Sequence, residues 1–177
     1  MAPEPDLSGA ELTRAVAAVR SLFGAAACSC SVVDDEGTAL LYVAADGEGA
    51  EAIVGVELPV ARGIAGWAAM SGQPIAVRDV DADPRFARDV AETTHYVPTS
   101  ILAAPFFDSA GDVAGVVSVL DPTVDQAADW ALAVLGTVAT LVGGLVGRGA
   151  GPHGSRLEEL GRTVLAAVTS YDAGSRP

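Results

Sequence analysis

Cysteine, histidine, aromatic residues and positive charge are all scarce in this chain, and each shortage closes off a class of function. Ten Lys and Arg stand against 23 Asp and Glu, a formal charge of −13, with no basic cluster and no run interleaving arginine with aromatics. A surface so negative repels phosphate backbones and anionic headgroups, so nucleic acid is not the expected partner. Cys28 and Cys30 are the only cysteines. They are too few for a disulfide framework and suit a reducing compartment. With only His95 and His153 beside them, a structural metal site lacks ligands. The start, MAPEPDLSGA, has neither the basic nor the apolar region of a signal peptide, which makes the cytoplasm the expected location.

What is abundant is apolar surface: half of the 177 residues are hydrophobic, enough for one domain with a real core. One run stands out, the 18 uncharged residues from Trp130 to Gly147. That is the lower edge of a membrane-spanning length, but its flanks lack basic clusters. Its Gly, Thr and Ala content suits close helix packing in protein as well as in lipid. The expectation is a buried partner helix and no membrane contact.

Ser8 and Glu11 have the spacing of a capping box, introducing a helix over 9–23 with Leu12, Ala15, Val16, Val19, Leu22 and Phe23 on one face. Strands follow over about 26–33 and 38–45, joined by the turn Asp34-Asp35-Glu36-Gly37, and a third strand is expected over 52–60. A short helix from Ile64 to Ser71 stops at Gly72, before a strand over 74–77. Asp83 followed by Pro84 reads as cap and first-turn proline of a helix running to about Glu92. TSILAAPFFD and DVAGVVSVLD flank Ser109-Ala110-Gly111 as a hairpin. Thr123 and Gln126 cap a long apolar helix over 124–146. A linker at 148–154 then leads to an amphipathic helix over 155–171. The order is that of an α+β domain, with helices available to cover both faces of an antiparallel sheet.

Several residues invite chemistry and have a plainer explanation. Cys28 and Cys30 lie two apart on a strand, about 6.6–6.8 Å between side chains that face the same way, which disfavours a mutual disulfide. They read as buried small hydrophobes. Asp79, Asp81 and Asp83 look like the start of a calcium loop, but Pro84 and Val90 stand where the loop needs Gly and Glu. A turn and a cap explain them better, with Asp79 left as a pocket candidate. Ser109 sits in a hairpin turn rather than a nucleophile elbow.

GIAGWAAMSGQPIAVRDVDADPRF, residues 63–86, resembles the signature of the GAF domain family, and SILAAPFFDSAGDVAGVVSVLD, 100–121, resembles the hairpin that follows it. The likeness runs from about Leu12 to Val146 and places the domain at 1–147. It implies a GAF/PAS-like, six-stranded antiparallel sheet with helices on both faces, plus the C-terminal helix. It also implies a non-catalytic sensing or regulatory module whose pocket lies between one sheet face and the segment at about 62–100. Members often dimerise through terminal helices. A chain this short leaves no room for an attached enzyme, so the expectation is a homodimer signalling through a separate output protein.

Two departures narrow the ligand. The hairpin ends Val119-Leu120-Asp121-Pro122 without the Asn-Lys of cyclic-nucleotide-binding members. The cysteines also do not match bilin-binding or methionine-sulfoxide-reducing members. His95 resembles the proximal histidine of haem-binding GAF domains in gas- and redox-sensing kinases. The alternatives for His95 are a haem-based sensor and a surface-loop histidine. Trp67, Phe86 and Tyr96 are candidate pocket walls or plain core, and Asp79, His95, Tyr96 and Ser100 are the candidate polar groups. The remaining alternative is a dimerisation scaffold whose pocket is filled by side chains. The alanines at 65, 68, 69, 103 and 104 favour an open cavity.

Overall fold

The computed structural model describes residues 7–125 and 129–146. The elements in order are α1 (Leu7–Leu22), β1 (Ala27–Val33), β2 (Ala39–Gly47), α2 (Ala50–Ile53), β3 (Glu57–Pro59), α3 (Gly63–Ser71), β4 (Ile75–Val77), α4 (Arg88–Thr93), β5 (Ile101–Phe107), β6 (Val113–Leu120) and α5 (Asp129–Val146). The six strands form one sheet in the order β3-β2-β1-β6-β5-β4, with every neighbouring pair antiparallel.

Period-two alternation on the central strands divides their side chains between two cores. Cys28 and Cys30 of β1, Val117 and Val119 of β6, and Leu102, Ala104 and Phe106 of β5 point to one face. There Leu12, Val16, Val19 and Phe23 of α1 pack beside Ala131, Leu135, Ala139 and Val142 of α5. Phe106 and Leu135 are almost fully enclosed. Burying side chains of that kind contributes about 1.5–3 kcal/mol each. The cysteines are free and buried, as their spacing predicts. Burial pushes the Cys30 thiol up to about 12 and raises Cys28 as well, so neither is a thiolate near neutrality. The opposite face carries α3, whose Ile64, Ala65, Ala68 and Ala69 pack on Ile75, Val77, Ile101, Ala103 and Val116.

One irregularity decides which residues reach that second face. Between Cys30 and Ser31 the β1–β2 register shifts, from Cys30 opposite Ala44 to Ser31 opposite Tyr42. The extra residue is a β-bulge, which reverses the facing of the strand beyond it. Ala44 therefore joins the core beneath α1 and α5, while Leu40 joins the core beneath α3.

Three expectations need correcting. No strand spans 52–60: positive φ at Gly49 and Gly55 brackets the single turn of α2, and only Glu57–Pro59 pairs with β2. Asp83 and Pro84 do not start a helix, because Asp83 accepts the Arg85 backbone N–H in a local turn (2.9 Å). A 3-10 turn at Val80–Ala82 precedes it, and α4 begins only at Arg88. Helix α1 is already formed at Leu7, so Ser8 lies inside it rather than at its cap, and Leu22 is exposed. Gln126, the linker at 148–154 and the helix expected over 155–171 lie outside the described residues. Among the described residues, no helix is long and apolar enough to cross a membrane.

Helix α5 lies against β5 at Gly143, where an added Cβ would come within 2.5 Å of the buried Phe106 ring. At Gly136, on the same helix, an added Cβ would meet nothing within 4 Å. Gly143→Ala should therefore destabilise the fold by about 1–3 kcal/mol through overpacking. Gly136→Ala should stabilise it by up to about 1 kcal/mol through helix propensity. Urea unfolding of both variants checks the pair, and equal effects would contradict this packing.

Candidate functional site

The second face is short of side-chain volume along one row. Register aligns Ala45 of β2, Ser29 of β1, Ser118 of β6 and Ala103 of β5 directly across the sheet. The first three line a hollow, bordered by Leu40, Tyr42 and Leu58 on one side and Ile101 and Leu120 on the other, while Ala103 lies beyond it in the core beneath α3. The residues leading into and starting α3 (Arg62 to Ala65) and the segment from Phe86 to Pro98 roof it, leaving a partly open cavity of about 110 Å³.

The roof is fastened at two places. Arg62, the residue before α3, grips Asp89 of α4 with one guanidinium nitrogen at 2.7 and 2.9 Å from the two carboxylate oxygens. That hydrogen bond holds the Asp89 carboxyl below the usual carboxylate range. Both side chains are well exposed, so the pair contributes little to stability and weakens with salt.

The second fastening is Asp121, at the end of β6, with a left-handed φ of 48°. One of its carboxylate oxygens accepts the Thr99 hydroxyl (2.6 Å), the Thr99 and Ser100 backbone N–H groups (2.9 and 2.8 Å) and the Ser100 hydroxyl (3.2 Å). The other accepts the Tyr96 hydroxyl. Partial burial opposes ionisation of Asp121, but the hydrogen bonds from Thr99, Tyr96 and Ser100 outweigh it and keep the pKa below the ordinary value. Burial and the Asp121 carboxylate together raise the Tyr96 hydroxyl, which stays neutral.

The structure separates the residues expected at the site. Phe86 and Tyr96 line the cavity. Ser100 is buried beside it as a partner of Asp121. Trp67 packs against the core beneath α3, with the Arg85 guanidinium 4.9 Å from its ring centroid. Asp79 is exposed, accepts the Asp81 backbone N–H (3.1 Å) and borders a separate shallow depression with Arg78, Asp83 and Arg85. Asp81 pairs with Arg88 and Asp83 with Arg85, so turn geometry and ion pairs account for the aspartate triplet. No group of three potential metal ligands occurs among the described residues.

His95 is exposed, has a φ of 59° just beyond α4 and does not line the cavity. A haem needs a histidine aimed into a pocket of several hundred cubic ångströms, on the order of the 300–1,000 Å³ usual for such ligands. A cavity of about 110 Å³ with His95 outside it does not fit that group.

Ser29, Ser118, Tyr42 and Asp121 were not among the expected site residues. Finding the first three requires the register and the bulge. Asp121 had a visible signal, an aspartate ending a strand just before a proline, but its partners lie more than twenty residues away.

An antiparallel sheet with α1 and α5 on one face and a roofed hollow on the other defines an α+β domain of the GAF/PAS-like class. The GAF domain model matches residues 9–146, and the chain belongs to the GAF domain family. Among solved structures, the GAF domain of an Acinetobacter phosphoenolpyruvate-protein phosphotransferase superposes with a TM-score of 0.67 at 19% identity, covering 80% of this chain and 82% of that one. Free methionine-R-sulfoxide reductase from Neisseria meningitidis, solved with its substrate, gives 0.64 at 23% identity, covering 92% and 84%. Both likenesses are of fold. Over 59 residues, 33% of this chain, the sequence is 41% identical to the dual 3',5'-cyclic-AMP and -GMP phosphodiesterase 11 of Drosophila melanogaster, and it spans 4% of that protein's length.

Asp121 gives the site a pH dependence whose sign is fixed. Its folded pKa lies below the unfolded value of about 4, so its stabilising effect is fully present above pH 4 and fades as pH falls through the folded value. Protection of the Thr99 and Ser100 amides, taken relative to the intrinsic exchange rate at each pH, should fall on acidification below about pH 4. Asp121→Ala should bring that loss of protection at pH 7 and cost about 1–3 kcal/mol, read by urea unfolding. Unchanged exchange in the variant would show that Asp121 does not hold the segment.

Proposed function

We propose that this chain is a non-catalytic small-molecule sensing module that acts through a separate output protein. The observation that carries the reading is the cavity of about 110 Å³ between a floor of small residues and a roof tied down by Arg62–Asp89 and Asp121. A scaffold protein has no use for such a hollow, and side chains would fill it as they fill the opposite face. Catalysis finds no support there. Cys28 borders the hollow, but its side chain packs in the other core with Cys30, and burial keeps both thiols protonated. The cavity lining contains no histidine to act as a base.

In this reading the ligand acts by population shift, favouring the state in which the segment from Phe86 to Pro98 is closed. Tyr96 and Asp121 carry the change onward. Two residues past Asp121, the Thr123 backbone N–H donates to the Phe23 carbonyl at the end of α1 (3.1 Å). The cavity wall is thus linked to the chain between β6 and the two helices of the opposite face. Ala45→Leu, which adds bulk to the floor, should leave the fold intact and abolish ligand-induced thermal shifts. Native mass spectrometry of purified wild-type protein should find a small molecule that the variant lacks. The hairpin lacks the Asn-Lys of cyclic-nucleotide-binding members, so calorimetry with cyclic AMP and cyclic GMP at micromolar concentration should register no saturable heat. Tight binding of either nucleotide, or identical spectra for wild type and variant, would refute this reading of the cavity.

We further propose a homodimer through the outer side of α5. Trp130 is 51% exposed, and Leu132, Val134, Val138, Leu141 and Leu145 of the same helix are only half-buried. Apolar groups left along one helix favour a second copy across a two-fold axis. Light scattering over a range of concentrations should give twice the 17.7 kDa chain mass, and a constant single-chain mass would exclude the dimer.

A further inference from the structure

The floor of the cavity carries polarity that the fold itself does not use. Ser29 and Ser118 face each other across β1 and β6 and are 7% and 6% exposed. Ser31, next along the same face, donates its hydroxyl to the Val116 carbonyl (3.4 Å). The hydroxyls of Ser29 and Ser118 have no protein partner among the described residues, and neither has that of Tyr42 on the adjoining strand. Burial pushes the Tyr42 hydroxyl up to about 12, so it too is a neutral donor and acceptor.

Buried hydroxyls without protein partners cost stability, and alanine would close such a floor more cheaply. Ala45, at the end of the same row, shows that alanine fits there. The charges bordering the cavity point the other way. Arg62 is already neutralised by Asp89, and Glu48 is exposed at the rim. Among the described residues, Glu48 is the only lining charge without an ion-pair partner and it stays in water at the rim, so an ionised ligand seated on the floor would lose its hydration without a counter-charge beside it. The size also limits the choice: at about 110 Å³ and partly open, the hollow is on the scale of the closed apolar cavity of about 150 Å³ that takes one benzene, so a single ring fills it.

We propose that the cavity takes a small uncharged ring compound carrying one hydroxyl, carbonyl or amide group, seated with that group on the Ser29–Ser118 pair. Tyr42 supplies a third hydrogen bond from the side. This rests on the sensing role proposed above and names the class of ligand that role requires.

Four probes of similar size separate the possibilities at pH 7: phenol, toluene, benzoate and benzylamine. Binding is read by amide shifts of residues 27–29 and 118–120 on the full chain. In a hollow with no polar partner, toluene outbinds phenol, because the phenol hydroxyl is buried unpaired. Wild type is expected to bind phenol at least as tightly as toluene, and to bind neither ion saturably. Ser29→Ala combined with Ser118→Ala should weaken phenol about five- to tenfold and leave toluene unchanged, the effect of losing a hydrogen bond. Melting midpoints of the single and double variants should stay within about 3 °C of wild type or rise. A fall of more than about 5 °C would show that the hydroxyls are structural and overturn the inference. Toluene binding without phenol, or saturable binding of benzoate or benzylamine, would overturn the ligand class while leaving a binding cavity in place. If neither toluene nor phenol binds, the sensing role fails, and this inference fails with it.

Discussion

The site depends on a mismatch between the two faces of one sheet. On the face beneath α1 and α5, Phe106, Leu102, Val117 and Val119 fill the space to the helices. On the other face, the same strands present Ala45, Ser29, Ser118 and Ala103 in a line. Where such a row of small residues backs onto large ones, the sheet is dense on one side and hollow on the other. That division frees the second face to hold a cavity without the domain losing its core.

The floor and the roof are held by different kinds of contact. The floor residues belong to central strands with partners on both sides. The roof segment from Phe86 to Pro98 consists of a six-residue helix and irregular chain, tied by the exposed Arg62–Asp89 and Arg88–Asp81 pairs and by the Tyr96–Asp121 hydrogen bond. Segments of that kind open locally at low cost. Asp121 sits at the boundary, on the strand side, and accepts groups from the roof side. Its left-handed backbone points the carboxylate back across β5 instead of onward along the chain toward Pro122.

The legible parts of the fold were those set by local pattern. Alternation located β1, β5 and β6, the stripe Leu12-Val16-Val19-Phe23 located α1, and Gly72 marked the end of α3. The likeness of residues 63–86 and 100–121 to the family signature supplied the strand number. Local chemistry misled where two signals competed. Asp83-Pro84 has the composition of a helix start, yet the Asp83 carboxylate serves the Arg85 N–H and guanidinium in a turn that postpones the helix to Arg88. The apolar run at 52–60 alternates like a strand, but glycines in left-handed conformation cut it short. The cavity was less legible than the fold. Phe86 and Tyr96 were reachable from their neighbourhood, whereas Ser29 and Ser118 are 89 positions apart and become neighbours only through the β1–β6 register. Tyr42 needs the bulge as well. The serines of ACSCSVV were visible as polar residues in a strand that the sheet buries on both faces, and that oddity was the available clue.

The two outer strands have a consequence for how this domain meets other molecules. β3 and β4 are three residues each; Pro59 sits within the first and Pro74 immediately precedes the second. A proline offers no N–H, and three residues give too short a ladder to template another chain. The sheet is therefore closed to lateral extension at both margins, so copies cannot join into a continuous ribbon. With its margins blunted, the sheet leaves the long helix α5 across its back as the surface for the two-fold contact proposed above, a contact that closes on itself instead of growing without limit.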